Sequence, residues 1–570
     1  MLKRLLRQLL RAPGGSRDDL VARGRAERER GEPAASLATL EATLQSDAGD
    51  AAVLAELGLS YRALGRNEEA RAVLERAAAS APDWVLPLLY LGNLAHEAGR
   101  LDAALAAYRA ALALDRRNAS LHYNLALTLT ACGEAAAAVE AFRACLAAAP
   151  DYADARESLL FALTLSDRAG ADETSAAHFE WGRRVADPLW REREYANAAE
   201  PQRPLRIGYV SADFFGHAAS DFIHSFLPQH DRGRYEITCY SNAVVPEASR
   251  GLYGHAWRDI SALDDAQAAS LIERNAIDIL VDLSGHTRGN RLLVFARKPA
   301  PLQLTFLGYP NTTGMRAMEF RLTDAYGDPP GASEGHYRER LLRMPHGLWC
   351  YRPPEEGVPE AGELPALRKG HVTFASMNNV AKLNAGLIEL WAELLLRVPE
   401  AHLLLATVPA GSARERLSRL FAAKGIAAGR IEFCERLPKS EFRALHREID
   451  IALDAYPCNG GATTCETLWL GVPVVSLAGV DFRARAGLSL LSAVGLPHLV
   501  ARDAARYVAI AADLACDAPR LQRLRSGLRE TLRRSSLCDA AAYTRALEQI
   551  YRGIWREWCG KAAEHPLSRP

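Results

Sequence analysis

Beyond residue 200 the chain alternates short apolar runs with segments whose apolar positions recur at helical spacing. Helical spacing is clearest at residues 387–398 and 507–514. The apolar runs occupy residues 205–210, 235–240, 277–283, 302–307, 372–375, 402–406, 431–433, 449–453 and 472–477. Continuous apolar strands that alternate with helices are typical of parallel sheets covered on both faces. Because a Pro-, Gly- and Glu-rich stretch at 353–370 divides the region, we predict two Rossmann-like lobes, over residues 205–360 and 361–570.

The first 150 residues show a fixed period instead. Gly31, Gly65, Gly99 and Gly133 are each 34 residues apart, and a small residue follows each glycine after five positions. Glycine permits a tight turn between two helices, and the small residues allow those helices to approach closely. This period is typical of tetratricopeptide repeats, whereas a plain alanine-rich bundle explains no fixed spacing. We therefore predict a tetratricopeptide helical solenoid over residues 1–166, closed by a half-repeat at 152–165, and a helical linker over 167–204.

Composition and charge exclude several classes of protein. The 69 basic and 69 acidic residues give no net charge that would hold a polyanion, so we expect no nucleic-acid partner. The longest apolar runs, such as 471–480, fall short of the ~20 residues of a membrane span. The basic, amphipathic residues 1–12 lack the apolar core of a signal peptide and are expected to lead into a helix. The ten cysteines show no metal-ligand spacing, which favours a cytoplasmic protein with reduced thiols and no metal site.

The segment 449–475 contains a strand, a loop and the start of a helix. Gly460 and Gly461 lie in the loop, and Thr463 and Thr464 follow them where the helix begins. Small residues at a helix N-terminus let main-chain N–H groups close on an anion, and the helix dipole adds attraction. Glu466, early in the helix, has the type of side chain that accepts hydrogen bonds from a ribose. The alternative is an ordinary capped helix start.

Two lysines are candidates to neutralise a leaving diphosphate. Lys382 follows Asn378 and Asn379 after a strand, where a helix begins. Lys439 lies in the segment RLPKSEF. A positive charge at such a strand end stabilises a departing anion, although a solvated lysine is the commoner case.

Two histidines and a tyrosine follow strands of the first lobe. His217 lies near Asp213 and is a candidate general base or substrate ligand, and His286 in DLSGHT is similar. Tyr309 lies in LGYPNTTG, and we expect Tyr309 and His286 to line a cleft wall. A structural role is the alternative for each residue taken singly.

The repeats together with the motifs SADFFGH, DLSGHT, LGYPNTTG, FASMNNVAK and CNGGATTCETL resemble the family 41 glycosyltransferases. That family includes protein O-GlcNAc transferases and SPINDLY-type protein O-fucosyltransferases. The resemblance extends from the repeats to about residue 551. It implies a GT-B fold and an inverting, metal-independent transfer from a nucleotide sugar to Ser or Thr hydroxyls of proteins.

The resemblance also implies roles for single residues. Lys382 matches the lysine that stabilises the departing phosphate, and His217 matches a histidine near the acceptor and the donor sugar. Thr463, with Thr464 beside it, matches the helix start that binds the diphosphate. The remaining donor-binding matches are Glu466 toward the ribose, and Asn379 and Lys439 toward the nucleotide.

Two departures leave the donor open between UDP-GlcNAc, which we expect, and GDP-fucose. Gly461 stands where the animal enzymes carry a histidine in the nucleotide pocket, and Phe442 replaces a second histidine. The concave face of the repeats, where acceptor proteins are expected to bind, departs as well. Asn124 matches the asparagine ladder of animal members, whereas the other repeats offer Ala22, Glu56 and Tyr90. A tetratricopeptide adaptor that binds a nucleotide sugar without turnover is the alternative function.

Overall fold

A computed structural model describes residues 17–44, 49–244, 246, 256–354 and 357–564. The helical lead-in predicted at residues 1–12 lies outside these ranges. Contacts divide the chain into two compact units, the first comprising residues 1–132 and 137–155 and the second residues 133–136 and 156–570. None of the helices in the described ranges combines the length and apolar character that a membrane span requires.

The N-terminal part consists of paired antiparallel helices with the predicted period. The pairs are Arg17–Glu29 with Pro33–Leu44, Ala51–Ala63 with Asn67–Ser80, Val85–Glu97 with Leu101–Leu114, and Ala119–Ala131 with Ala135–Ala148. The turn glycines Gly31, Gly65, Gly99 and Gly133 have φ of 81°, 74°, 71° and 79°, a region that favours glycine. The predicted tetratricopeptide solenoid is confirmed. The half-repeat at 152–165 forms the helix Ala153–Leu165.

Close helix approach explains a second set of glycines in the repeats. A Cβ at Gly58 would lie 2.5 Å from Leu74 of the paired helix, and one at Gly92 would lie 2.3 Å from the Tyr108 ring. Both distances are shorter than atoms can approach without displacement. The small residue in the first helix therefore permits a large apolar residue in the second.

The first lobe of the second unit contains a seven-stranded parallel sheet. Its strands are β1 (Leu205–Ser211), β2 (Tyr235–Ser241), β3 (Ala256–Asp259), β4 (Ile279–Asp282), β5 (Leu302–Thr305), β6 (Phe320–Asp324) and β7 (Arg340–Met344). Their order is β3-β2-β1-β4-β5-β6-β7. Helices Ser220–Phe226, Asp265–Arg274 and Leu292–Ala296 connect strands, and helix Ala171–Trp181 precedes the lobe.

The second lobe repeats the arrangement with six strands. They are β8 (Thr373–Ser376), β9 (His402–Leu405), β10 (Ile431–Phe433), β11 (Ile451–Leu453), β12 (Val474–Leu477) and β13 (Val500–Ala501), in the order β10-β9-β8-β11-β12-β13. Its helices are Pro365–Lys369, Ala385–Arg397, Ser412–Ala423, Lys439–Leu445, Ala462–Trp469, Ala486–Ala493, Ala504–Ala515, Ala518–Arg534 and Ala540–Glu564. All pairings in both sheets are parallel, which confirms the two Rossmann-like lobes.

Four strands, β3, β6, β7 and β13, were not among the apolar runs. β3 and β7 are the two edge strands of the first sheet and carry charged residues. β3 is largely exposed, and β7 is mostly half-buried. β6 is buried but includes Arg321, whose guanidinium donates to the main-chain oxygens of Asn311 and Tyr309 at 2.7 and 2.8 Å. β13 has only two residues. Hydrophobic runs therefore identify central strands better than edge strands or strands with buried polar roles.

The C-terminal helix Ala540–Glu564 packs against the first lobe, although it ends the predicted range 361–570. The Tyr551 and Tyr209 hydroxyls are 2.9 Å apart, and Glu548 lies 3.0 Å from the His230 ring. The Trp555 indole donates to the Glu200 carbonyl at 3.1 Å. The chain thus crosses back to the first lobe, where the buried face of this helix contacts β1 and the segments around it.

Candidate active site

The candidate site lies where the strand order of the second lobe reverses, between β8 and β11. Ligands of open α/β sheets bind in the crevice beyond the carboxyl ends of strands at such a point. Two hydrogen bonds join the loops that follow these strands. The Lys382 ammonium donates to the Asn459 carbonyl at 2.7 Å, and the Asn384 amide donates to the Tyr456 carbonyl at 2.6 Å. The structure therefore brings together the two segments whose motifs pointed to phosphate chemistry.

Asp454 organises the loop that follows β11. Its Oδ1 accepts from the Gly460 N–H at 2.7 Å, and its Oδ2 accepts from the Ser476 hydroxyl at 2.7 Å. Burial raises the pKa of Asp454, and these hydrogen bonds and the charge of Lys382 oppose the rise. The carboxylate holds the glycine loop against the end of the sheet.

Gly460 and Gly461 precede the helix Ala462–Trp469. Gly461 is the N-cap and contributes no side-chain hydrogen bond to the helix start. Of the two predicted hydroxyls, that of Thr464 is buried against Gly460, whereas Thr463 is half-buried. The first N–H groups of a helix have no partners within the helix and favour an anion.

The turn that carries Lys382 is capped by Asn379. The Asn379 side chain is the N-cap of the turn Val380–Lys382 and accepts from the Ala381 N–H at 2.9 Å. Asn379 is exposed and Lys382 is half-buried. In this structure Asn379 thus fixes the turn from which the lysine projects.

Glu466 and Lys439 belong to a charged cluster that also contains two residues not singled out from the sequence. Glu466 accepts from the Arg443 guanidinium at 2.7 Å, so its carboxylate, predicted to face a ribose, is already ion-paired. Lys439 begins the helix Lys439–Leu445 and is exposed. Burial raises the pKa of Asp221 of the first lobe, and the Lys439 charge opposes that rise. Both lobes therefore contribute charge here, a proximity that no local motif reveals.

His217 lies on the loop between β1 and helix Ser220–Phe226, with its side chain 53% exposed. Its Nδ1 accepts from the Ala219 N–H at 3.2 Å and lies 3.7 Å from Asp213. Burial raises the pKa of Asp213, and His217 opposes the rise. Because Nδ1 is an acceptor, the neutral ring carries its proton on Nε2. This arrangement suits a hydrogen-bond donor to substrate better than a general base.

His286 and Tyr309 lie in a packed interior, not on an open cleft wall. His286 Nε2 is 2.9 Å from the Thr313 carbonyl, and burial lowers the pKa of His286 to about 4. The Tyr309 hydroxyl is 2.8 Å from His178 Nε2, and both side chains are buried. Trp181 packs edge-on to His286 with ring centroids 4.5 Å apart. Helix Ala171–Trp181 covers the loops that carry the two residues, a contact that strand patterns do not predict.

The described residues contain no cluster of side chains suited to a metal ion. Within residues 17–44, 49–244, 246, 256–354 and 357–564, no group of three His, Cys, Asp or Glu side chains is placed to hold a metal ion. All ten cysteines lie in these ranges and are free thiols.

The chain matches the family model described as glycosyl transferase family 41 over residues 158–351 and 361–547. Tetratricopeptide models match residues 27–86, 92–130 and 119–152. The tetratricopeptide matches begin near the end of helix Arg17–Glu29 and extend over the later helix pairs, and the family match spans both Rossmann-like lobes.

Similar proteins carry related names. A Solanum lycopersicum protein, named as a probable UDP-N-acetylglucosamine–peptide N-acetylglucosaminyltransferase SPINDLY, is 39% identical over 423 residues, or 72% of this chain and 45% of that protein. A Caenorhabditis elegans UDP-N-acetylglucosamine–peptide N-acetylglucosaminyltransferase is 25% identical over 472 residues, or 62% of this chain and 41% of that protein. The chain thus spans less than half the length of either relative.

A solved structure extends the similarity to nearly the whole chain. The Thermobaculum terrenum O-GlcNAc transferase, determined as a mutant with one lysine replaced by methionine, matches with a TM-score of 0.79 at 37% identity. The match covers 90% of this chain and 99% of that one. Because the family model spans both lobes, the chain belongs to glycosyl transferase family 41.

Proposed function

We propose that the chain is a protein O-glycosyltransferase that moves GlcNAc from UDP-GlcNAc to Ser or Thr hydroxyls, with inversion and without a metal. The observation that carries the proposal is the Lys382 ammonium, held at 2.7 Å from the Asn459 carbonyl beside the loop that starts helix Ala462–Trp469. A lysine and a helix N-terminus together supply positive charge where a diphosphate departs. Family membership supports glycosyl transfer, and the names of the relatives support the donor.

The transfer forms one glycosidic bond and breaks the bond between the sugar and the diphosphate. As the acceptor oxygen bonds to the anomeric carbon, the bond from that carbon to the diphosphate oxygen breaks, and UDP takes the electron pair. The acceptor proton is released to water. Lys382 stabilises the negative charge that grows on the diphosphate, and the main-chain N–H groups after Gly461 bind its oxygens. His217 donates from Nε2 to an oxygen of the sugar or the acceptor.

Acceptor proteins are proposed to contact the repeats. Within the tetratricopeptide repeats the Asn124 amide donates to Asn93 Oδ1 at 2.9 Å, and the Tyr108 hydroxyl donates to the same oxygen at 2.8 Å. An asparagine held in this way has a defined orientation for an acceptor main chain. We place the reaction in the cytoplasm because ten free thiols suit a reducing compartment.

GDP-fucose is a second candidate donor, favoured by the Arg443–Glu466 pair. The Glu466 carboxylate, 17% exposed, is held in place by Arg443. A fixed carboxylate can accept from the two adjacent N–H groups on one edge of a guanine, which uracil lacks. Phe442, packed edge-on to His446, supplies no polar group at its position.

Calorimetric titration with UDP and with GDP tests the donor class, and nucleotide release tests turnover. We expect UDP to bind more tightly, and the wild type to release UDP from UDP-GlcNAc faster than Lys382→Ala. Tighter binding of GDP supports the fucose donor. Equally slow release by the wild type and Lys382→Ala with either donor supports the adaptor alternative and refutes the enzyme.

A further inference from the structure

Arg483 has a buried guanidinium that binds a segment distant from it in the sequence. It lies in the turn Phe482–Ala484 after β12, and the residue is 4% exposed. Its Nη1 donates to the Leu163 carbonyl at 2.6 Å and to the Ser166 carbonyl at 3.4 Å, and its Nη2 donates to the Ala169 carbonyl. Its Nε donates to Asp481 at 2.9 Å. The cation thus binds the carbonyls at the end of helix Ala153–Leu165, where a positive charge is favoured.

The main chain of Arg483 holds the loop of the candidate site at the same time. The Arg483 carbonyl accepts from the Asn459 N–H at 2.9 Å. The Asn459 side chain donates to the Ala455 carbonyl at 2.8 Å and accepts from the Gly487 N–H at 3.1 Å. Asn459 is therefore fixed on three sides, and its own carbonyl accepts from Lys382 at 2.7 Å.

We infer that Arg483 is a positioning residue for Lys382 and acts through the main chain of Asn459. A lysine ammonium has three donor positions on a flexible stem, so one fixed acceptor determines where the other two point. The Asn459 carbonyl is that acceptor, and the four bonds of the Arg483 side chain hold the turn that anchors Asn459. This inference rests on the proposed role of Lys382 toward the leaving diphosphate.

A second arginine provides a matched control. Arg430 donates to the carbonyls of Ala401, Leu395 and Val398, each at 2.9 Å, at the end of helix Ala385–Arg397. Like Arg483, it binds carbonyls in the last turn of a helix and just beyond it. It precedes the edge strand β10 and has no bond to the loop after β11 among the hydrogen bonds of the described residues.

The test compares Arg483→Met with Arg430→Met by UDP release from UDP-GlcNAc, with a thermal unfolding scan of each variant. We expect Arg483→Met to lower kcat at least about 10-fold with KM for the donor nearly unchanged, because small misplacements of a catalytic group cost mainly transition-state stabilisation. Arg430→Met should lower the unfolding temperature only. Equal kcat values for the two variants would overturn the inference.

A double-mutant cycle separates positioning from general damage. If Arg483 acts through Lys382, Arg483→Met should add little to the loss that Lys382→Ala already causes. Independent, multiplying losses would overturn the inference. Should Arg483→Met fail to fold, Arg483→Lys replaces it in both experiments. This variant keeps the charge but makes fewer directed hydrogen bonds, so its kcat should be lower than that of the wild type and higher than that expected for Arg483→Met. A wild type and Lys382→Ala of equal activity would refute the proposed function instead.

Discussion

Two adjacent glycines in the candidate site differ in the space around them, and substituting each by alanine tests whether the loop binds the donor. A Cβ at Gly460 would lie 2.4 Å from the Thr464 hydroxyl and 3.2 Å from Asn378 Oδ1 and Asp454 Oδ1. A Cβ at Gly461 would meet only the Trp349 ring, at 3.8 and 3.9 Å, which is ordinary contact. Gly460→Ala should therefore displace the loop, and Gly461→Ala should leave it in place.

The size of the effect follows from the overlap. Thr464 is 3% exposed and β-branched, so its hydroxyl cannot withdraw freely. Overpacking of this kind costs about 1–3 kcal/mol. If the cost falls on the loop conformation that binds the diphosphate, the population of that conformation and the apparent UDP affinity fall about 5- to 150-fold.

Isothermal calorimetry with UDP on the wild type, Gly460→Ala and Gly461→Ala measures this directly. Thermal unfolding of the same three proteins shows whether the loop change also destabilises the fold. UDP binding by Gly460→Ala as tight as that of the wild type would contradict this prediction. An equal loss of affinity in Gly461→Ala and Gly460→Ala would contradict it as well.

Three further substitutions test His217, Glu466 and His286. His217→Ala should keep UDP affinity and lower transfer at least about 10-fold, because a donor to the reacting groups is lost; an equal loss of affinity by calorimetry would contradict this. Glu466→Gln should weaken UDP binding because it removes the ion pair with Arg443 that orients this side chain, whereas the exposed Glu441→Gln should not; equal affinities of the two variants count against the cluster. Burial lowers the pKa of His286 to about 4, so the unfolded chain takes up this proton first as pH falls below about 6.5, and folded stability decreases toward pH 4. His286→Gln lacks this penalty. The difference in unfolding temperature between the wild type and His286→Gln should therefore shrink as the pH is lowered from 7 to 4.5. A difference that stays constant with pH would contradict the lowered pKa of His286.

The main architecture can be predicted from the sequence because its signals are local and repeated. The 34-residue glycine period reflects a turn that every helix pair needs, and the structure shows the expected positive φ at each position. The buried central strands coincide with apolar runs because both of their faces are covered. The two loops that carry Lys382 and Gly460 follow neighbouring strands, so their proximity is a consequence of parallel topology.

The rest depends on contacts between distant segments. The sequence predicts His286 and Tyr309 on a cleft wall because they follow strands, but helix Ala171–Trp181 covers them. Arg443 and Glu466 pair across 23 positions, and Arg483 reaches carbonyls more than 300 positions earlier in the chain. A single arginine in a sequence gives no sign of which carbonyls it binds. The roles of the site residues therefore remain predictions for experiment.

Mass spectrometry of protein acceptors after incubation with UDP-GlcNAc tests most directly whether the chain transfers GlcNAc to proteins. Wild-type protein and Lys382→Ala are each incubated with the donor and cell-extract protein, and Ser and Thr residues are examined for one added N-acetylhexosamine. We predict the modification with the wild type and at least about a 10-fold lower yield with Lys382→Ala, since the charge on the departing diphosphate is no longer stabilised. Modification at equal yield would contradict the role of Lys382. Its absence with the wild type, while GDP-fucose gives a deoxyhexose, would contradict GlcNAc transfer.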